Sequence, residues 1–330
     1  MMPKETNSNG VVPILRIQDL IVEFGGHTRT LRAVDGVTFD INRGETFCLV
    51  GESGCGKTVT ALAIARLLPA PTAHFAGGEI WLNGTNTLKS PESELRHIRG
   101  GVVSYIFQEP GNSLNPAFTV GSHIKDALRL HRPASATDEE VVRLLKLVGI
   151  SAPEMRIRNY PHQMSGGMQQ RVMIAAALAC EPKLLVADEP TTALDATIQA
   201  QILDLLRELK QRLGMAILLI THNLGIVKDM ADRVAVMYAG QIVESAPARE
   251  ILCRPLHPYT RALIDAIPKF GRAEDRLAPI PGNVPSLDAI PSGCRFHPRC
   301  AVTRSECARV APELKEVEPG RWVRCPYWQQ

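Results

Sequence analysis

Apolar positions recur along this chain with two periods. Residues 15–24 alternate apolar and polar side chains, and residues 31–41 repeat the alternation after a polar turn at 25–28. Period two is the mark of half-buried strands, so these two are predicted to pair. Short continuous apolar runs at 46–50, 102–107, 184–187 and 216–220 read as buried strands. Residues 78–82 form another strand, running into the tight turn Asn83-Gly84. Residues 233–238 and 241–244 make a final hairpin. Helical spacing of apolar side chains covers 59–68, 120–131, 138–148 and 197–213, and a stretch of small and apolar residues ends at Cys180. Thr137 stands where a cap belongs, with Glu140 three residues on. Residues 109–116 carry two prolines and a glycine and are predicted as loop. His257-Pro258-Tyr259 opens a short helix through Ala266. Strands alternating with helices, with polar groups at strand ends, predict an open α/β sheet whose ligand lies along that edge. No internal repeat interrupts the pattern.

The chemistry sits where strands stop. Gly51-Glu52-Ser53-Gly54-Cys55-Gly56-Lys57-Thr58 joins a buried strand to a helix and reads G-x-x-x-x-G-K-T. Glycine lets successive N–H groups turn toward one anion, and the helix start adds partial positive charge. Lys57 then reaches the outer phosphates and the Thr58 hydroxyl can ligate Mg²⁺. Ser165-Gly166-Gly167-Met168 opens a second helix and offers a second anion site; a simple cap would need only Ser165. Asp188 and Glu189 end the strand at 184–187, where adjacent carboxylates are costly unless a cation needs them. Gln108 ends the strand at 102–107, and His222 stands at the tip of the strand at 216–220. Phe24 ends the first strand, where an aromatic can stack on an adenine ring or serve as ordinary core.

Composition narrows the picture. The 330 residues are 45% hydrophobic and 22% charged, as expected of one large core with a smaller appended unit. A net charge of +3 gives no basic footprint, so no nucleic-acid partner is expected. Residues 1–12 read as a disordered lead-in, and residues 1–10 are polar and carry no secretory signal. No run approaches the ~20 apolar residues that span a bilayer. The expectation is a soluble or peripheral, cytoplasmic chain, in which eight cysteines are not disulfides.

With these motifs in this order, residues 13–246 resemble the ATP-binding subunits of ABC transporters. The resemblance implies an α/β P-loop ATPase core: a RecA-like sheet, an antiparallel β subdomain and a helical subdomain at about 112–175. Ser165-Gly166-Gly167-Met168 before Gln169 matches the D-type subunits of dipeptide and oligopeptide importers. Met168 departs from the superfamily's commoner glutamine, and Asn223 from an aspartate. His257-Pro258-Tyr259 and the cysteines place residues 247–330 as that subfamily's carboxy-terminal extension. ATP hydrolysis coupled to import is then implied, with ATP and Mg²⁺ as ligands. Gly51, Ser53, Gly54, Cys55, Gly56 and Lys57 hold the phosphates beside Phe24; Thr58, Gln108 and Asp188 attend Mg²⁺. Glu189 polarises water, His222 contacts the γ-phosphate and Asp195 belongs to the D-loop formed by residues 193–195. Ser165, Gly166, Gly167 and Met168 act in trans, on the nucleotide of a paralogous F-type subunit. Two integral-membrane permease subunits and an extracytoplasmic substrate-binding protein complete the assembly. They would draw the chain to the cytoplasmic face of the membrane as a peripheral subunit. Nickel or glutathione import, or a soluble ABC ATPase free of transport, are the competing readings.

Cys294, Cys300, Cys307 and Cys325 follow C-x5-C-x6-C-x17-C in a polar, proline-rich tail. A small unit without a core needs a staple, and a reducing compartment disfavours disulfides. A tetrathiolate site fits, holding Zn²⁺ or a [4Fe–4S] cluster, although zinc sites usually show C-x2-C pairs. Resemblance to the importer extension favours the cluster.

Overall fold

A computed structural model describes residues 12–26, 29–192, 194–267 and 280–329. Most of the expected lead-in, the end of the turn at 25–28, Ala193 and the proline- and charge-rich stretch after residue 267 lie outside the described residues. The chain divides into two compact units. Among the described residues, one comprises Leu15–Ile41, Glu45–Leu88 and those from Ile220 onward; the other comprises Asn42–Gly44 and Lys89–Leu219 with residues 12–14.

The first of these units opens with β1 (Leu15–Gly26) and β2 (Arg29–Ile41), an antiparallel pair in which Leu15 faces Ile41 and Val22 faces Val34. β3 (Thr46–Val50) is buried along its whole length and feeds the glycine-rich loop into α1 (Lys57–Ala63). β4 (Ala73–Leu82) turns at Asn83-Gly84 into β5 (Thr85–Asn86), completing the antiparallel order β2-β1-β4-β5. α1 is shorter than the predicted 59–68. The Leu67 N–H closes back on the Leu62 carbonyl at 2.9 Å and Arg66 takes φ 52°. This is a left-handed helix stop, reached before Pro69 would exclude helical geometry from its neighbour.

The other unit is helix-rich. It contains α2 (Glu92–Ile98), β6 (Val103–Ile106), α3 (Pro110–Ser113), α4 (Val120–His131), α5 (Asp138–Leu147) and α6 (Pro153–Arg156). α7 (Gly166–Leu178), β7 (Leu184–Asp188), α8 (Ala196–Leu213) and β8 (Ala216–Thr221) follow, the last two residues of β8 passing to the other unit. β6 and β7 run parallel, with Ile106 beside Ala187, and the order continues to β8. α7 packs on α3, α4, α5 and β6, burying Val172, Met173, Ile174 and Ala175. The Thr137 hydroxyl accepts the Glu140 N–H, so α5 starts at its predicted cap. The predicted loop at 109–116 instead contains α3. Proline is tolerated at a first helical turn, and the Ser113 N–H and hydroxyl both reach the Glu109 carbonyl.

The chain then returns to its first unit with α9 (Leu224–Met230), β9 (Arg233–Tyr238) and β10 (Gln241–Pro247). β9 pairs parallel to β3 and antiparallel to β10. After α10 (Ala248–Cys253) and α11 (Pro258–Asp265), the hairpin β11 (Lys315–Glu318) and β12 (Arg321–Val323) extends the order to β11-β12-β10-β9-β3. The tail is therefore less coreless than its composition predicts. Phe296 is buried, with its ring 5.2 Å from those of Tyr238 and Tyr259.

Candidate functional site

The loop between β3 and α1 is shaped by its glycines. Gly54 and Gly56 take φ 79° and 105°, conformations that side chains with a Cβ disfavour. A Cβ on Gly51 would fall 2.2 Å from the Met237 carbonyl oxygen, and one on Gly56 2.7 Å from that of Ala33. The α1 helix starts with no side-chain cap, leaving its first amides without a side-chain partner. Lys57 is buried and arches over its own loop, its Nζ donating to the Gly51 and Glu52 carbonyls at 2.7 and 2.9 Å. Ser53, Gly54 and Thr58 are exposed, whereas Cys55 is buried, which pushes its thiol pKa up. Phe24 is half-buried in β1, opposite Leu31 and Ala73. His222 is exposed at the end of β8, in the same unit as the loop.

In the helix-rich unit, Gln108 and Glu189 meet. Gln108 Nε2 donates to Glu189 Oε2 at 3.2 Å, and the Thr192 hydroxyl donates to the same oxygen at 2.9 Å. Glu189 has φ 46°, a left-handed conformation rare outside glycine and asparagine. Strain of this kind persists where surrounding structure over-determines a residue, often at a functional position. Asp188 is buried as the last residue of β7. Ser165 is exposed and caps α7, accepting the Met168 N–H at 3.4 Å. Asp195 is exposed and caps α8 through the N–H groups of Thr197 and Ile198, each at 3.0 Å.

The two glycines after Ser165 differ. A Cβ on Gly167 would lie 2.9 Å from Ile198 Cγ2, while one on Gly166 would meet only Leu194 Cδ2, at 3.8 Å. Gly167 thus has a packing reason to be glycine, separate from any contact with an anion. Sequence reasoning also passed over Glu52, Tyr259 and Arg299. Arg299 forks onto the Glu52 carboxylate at 2.8 and 2.9 Å, and Tyr259 Oη accepts the Glu52 N–H at 3.0 Å. The available signal was an acid at a variable position of a loop built for anions.

Cys294, Cys300, Cys307 and Cys325 line one cavity of about 490 Å³, and none is in a disulfide. Burial, with the other three thiols adding, pushes Cys294 up to about 11. Among the described residues no three Cys, His, Asp or Glu side chains converge closely enough to hold a metal ion. The four thiols have the right chemistry for a thiolate site and share the lining of one cavity. Cys253 is exposed and Cys48 buried; both stand apart from the cavity's lining.

Two family models match the chain: "ABC transporter" over residues 34–192 and "Oligopeptide/dipeptide transporter, C-terminal region" over 243–307. A probable peptide ABC transporter ATP-binding protein, y4tR of Sinorhizobium fredii, is 49% identical over 94% of both chains. The oligopeptide transport ATP-binding protein AppD of Bacillus subtilis is 46% identical, covering 96% of this chain and 97% of its own. The dipeptide transport ATP-binding protein DppD of Escherichia coli is 46% identical over 95% and 96%. A solved dimeric ATP-binding cassette in a post-hydrolysis state with ADP and Pi has TM-score 0.63 and 26% identity, covering 71% of this chain and 99% of that one.

Proposed function

The chain belongs to the ATP-binding subunits of peptide-importing ABC transporters, and from that premise we propose that it hydrolyses ATP to power uptake of di- or oligopeptides. It is a P-loop ATPase of the ABC type. The observation that carries the reading is the continuous likeness to peptide-transport ATPases across both the ATPase core and the tail. Residues 13–246 act as the ATPase domain, with a helical subdomain at about 112–175, and residues 247–330 as the transporter-type extension.

Roles follow motif by motif. Lys57 and the amides of Ser53, Gly54, Cys55 and Gly56 bind the phosphates, and Phe24 stacks on the base. Thr58 and Asp188 offer hard oxygen donors of the kind Mg²⁺ takes, with Gln108 attending. Bound Mg²⁺ neutralises charge on the phosphates. Glu189, oriented by Gln108 and Thr192, accepts a hydrogen bond from the attacking water and takes up its proton. His222 donates to the γ-phosphate. Positioning and charge stabilisation do most of the work. Ser165, Gly166, Gly167 and Met168 complete the nucleotide site of a paralogous F-type ABC subunit, and Asp195 sets the helix that Gly167 packs on. Two membrane permease subunits hold the chain at the cytoplasmic face, and an extracytoplasmic binding protein selects cargo. Nickel or glutathione are read as alternative cargoes of the same machinery.

We propose that the four cysteines hold a [4Fe–4S] cluster, with zinc as the alternative. A single zinc ion needs sulfurs converging to about 2.3 Å from one point, whereas a cluster is ligated around its corners. All four thiols line one cavity, which supports a shared site, and the likeness of the tail to the importer extension favours the cluster. Such a cluster would act as a structural or regulatory element. Anaerobically purified protein should be brown, with about four irons per chain; colourless protein with one zinc would overturn the assignment.

Glu189→Gln tests the ATPase reading. MgATP binding should persist while turnover in the assembled transporter falls by about 10²- to 10⁴-fold. Near-normal turnover would remove Glu189 from the mechanism.

A further inference from the structure

Glu52 is the second residue of a loop built to hold a polyphosphate, and its carboxylate has the wrong sign for that task. The tail answers it. Arg299 Nη1 and Nη2 donate to the two carboxylate oxygens in a planar fork, and the arginine side chain is only 5% exposed against 29% for Glu52. Arg299 is itself fixed. Its Nε donates to the Pro281 carbonyl at 2.8 Å, and its guanidinium lies 5.7 Å from the Tyr238 ring centroid and 6.0 Å from that of Phe296. It rides on the short turn His297–Arg299, anchored through buried Phe296. The Glu52 backbone is pinned on both sides as well: its N–H donates to Tyr259 Oη at 3.0 Å and its carbonyl accepts Lys57 Nζ at 2.9 Å.

We propose that Arg299 and Tyr259 are positioning residues of the nucleotide site, with Arg299 also neutralising Glu52, so that the carboxy-terminal segment sets the affinity of the phosphate loop for ATP. The proposal rests on the reading of that loop as the ATP site. A bidentate pair fixes both the place and the charge of the carboxylate. Once the arginine is gone, Glu52 is free to turn toward the phosphates and repel them. A merely structural staple would act on stability and would not depend on ligand charge. A charge-neutralising clamp must.

The experiment measures Kd for MgATP and MgADP on the full-length chain, with thermal melting alongside. Arg299→Met should raise Kd for MgATP about ten- to hundredfold, and for the less charged MgADP by less. Glu52→Gln combined with Arg299→Met should restore most of the lost MgATP affinity, because the unpaired charge has gone. Tyr259→Phe, which keeps the ring and loses the acceptor, should raise Kd a fewfold without the charge dependence. If Arg299→Met does not fold, the same rescue is read on Arg299→Gln with and without Glu52→Gln. MgATP affinity within twofold of wild type in the folded arginine variant overturns the proposal, as does equal loss for both nucleotides without rescue by Glu52→Gln. Lys57→Ala is the control: wild-type protein indistinguishable from it in MgATP binding would refute the ATP-site reading itself.

Discussion

Two helices of this molecule begin at glycine-rich stretches, and they begin differently. α1 starts from Gly56 in the left-handed region with no side chain capping it, and the ammonium of Lys57 lies over the loop that precedes it. α7 starts from Ser165 in extended geometry, with the serine hydroxyl already taking the Met168 N–H. The first arrangement leaves its amides for a ligand and adds a cation. The second satisfies an amide internally and adds no charge from its own first turn. A helix start of the first kind suits primary binding of a highly charged anion, and one of the second kind suits a contact made to a nucleotide already held elsewhere. Under the function proposed above, α1 would bind nucleotide in cis and α7 would contact it in trans.

The contrast breaks most severely at Gly56. Gly56→Ala must adopt φ 105° and bring a Cβ to 2.7 Å from the Ala33 carbonyl; the nearby Met237 side chain can yield, but the backbone cannot. Strain of about 2–4 kcal/mol in the loop should lower MgATP affinity by roughly 30- to 1,000-fold. Fluorescent-nucleotide titration of the full chain checks it, and unchanged affinity would mean that the loop tolerates another backbone path.

Ser165→Arg comes next. MgATP binding by the isolated chain should stay within about twofold, because the change lies outside the α1 loop, while turnover in the assembled transporter should fall about a hundredfold or more. Loss of binding by the isolated chain would assign Ser165 to the chain's own nucleotide and erase the distinction between the two helix starts.

How legible each feature is from sequence depends on how far its partners lie along the chain. The phosphate loop, the Thr137 cap and the buried strands are settled by residues a few positions apart, since capping rings and strand periodicity are local. The Gln108–Glu189 contact spans 81 positions and Arg299–Glu52 spans 247. Tertiary packing alone creates such contacts, and no periodicity announces them. Gly167 shows the same limit from the other side. Its motif was readable, but its neighbour Ile198 was not, so a packing constraint passed for a purely functional one.

A third helix start sharpens the comparison through pH. α11 is capped by an imidazole: His257 Nδ1 accepts the Tyr259 N–H at 3.1 Å, so the ring must be neutral at that nitrogen. Burial, reinforced by Arg324 and Arg261, pushes its pKa from 6.5 down to about 3. Below pH 6.5 the unfolded chain takes a proton that the native chain refuses. The stability from this residue is therefore complete above that pH and is lost on acidification at about 1.4 kcal/mol per pH unit. Between pH 6.5 and 5 the loss should reach about 2 kcal/mol. Glu244, which accepts the Leu256 and His257 N–H groups, has its pKa raised by burial and acts in the opposite sense. The pH slope of wild type is therefore compared with that of His257→Asn, which can keep a cap but cannot titrate. Equal slopes in urea midpoints would exclude the histidine as the source.

The smallest effect belongs to Gly167. A methyl there meets the end of Ile198, a side chain that can rotate, rather than backbone. Gly167→Ala also gains helix propensity in the first turn of α7, which offsets part of the clash. The net cost should be about 1 kcal/mol or less in stability. The informative quantity is the coupling with Ile198→Val, which shortens the opposing side chain: the double variant should be less destabilised than the sum of the singles by about 0.5 kcal/mol or more. If that double variant recovers stability while transporter turnover stays depressed, Gly167 serves the partner's nucleotide as well as the packing of α7 on α8. If both recover together, the glycine is there for the packing, and Ser165 and Gly166 carry the contact in trans.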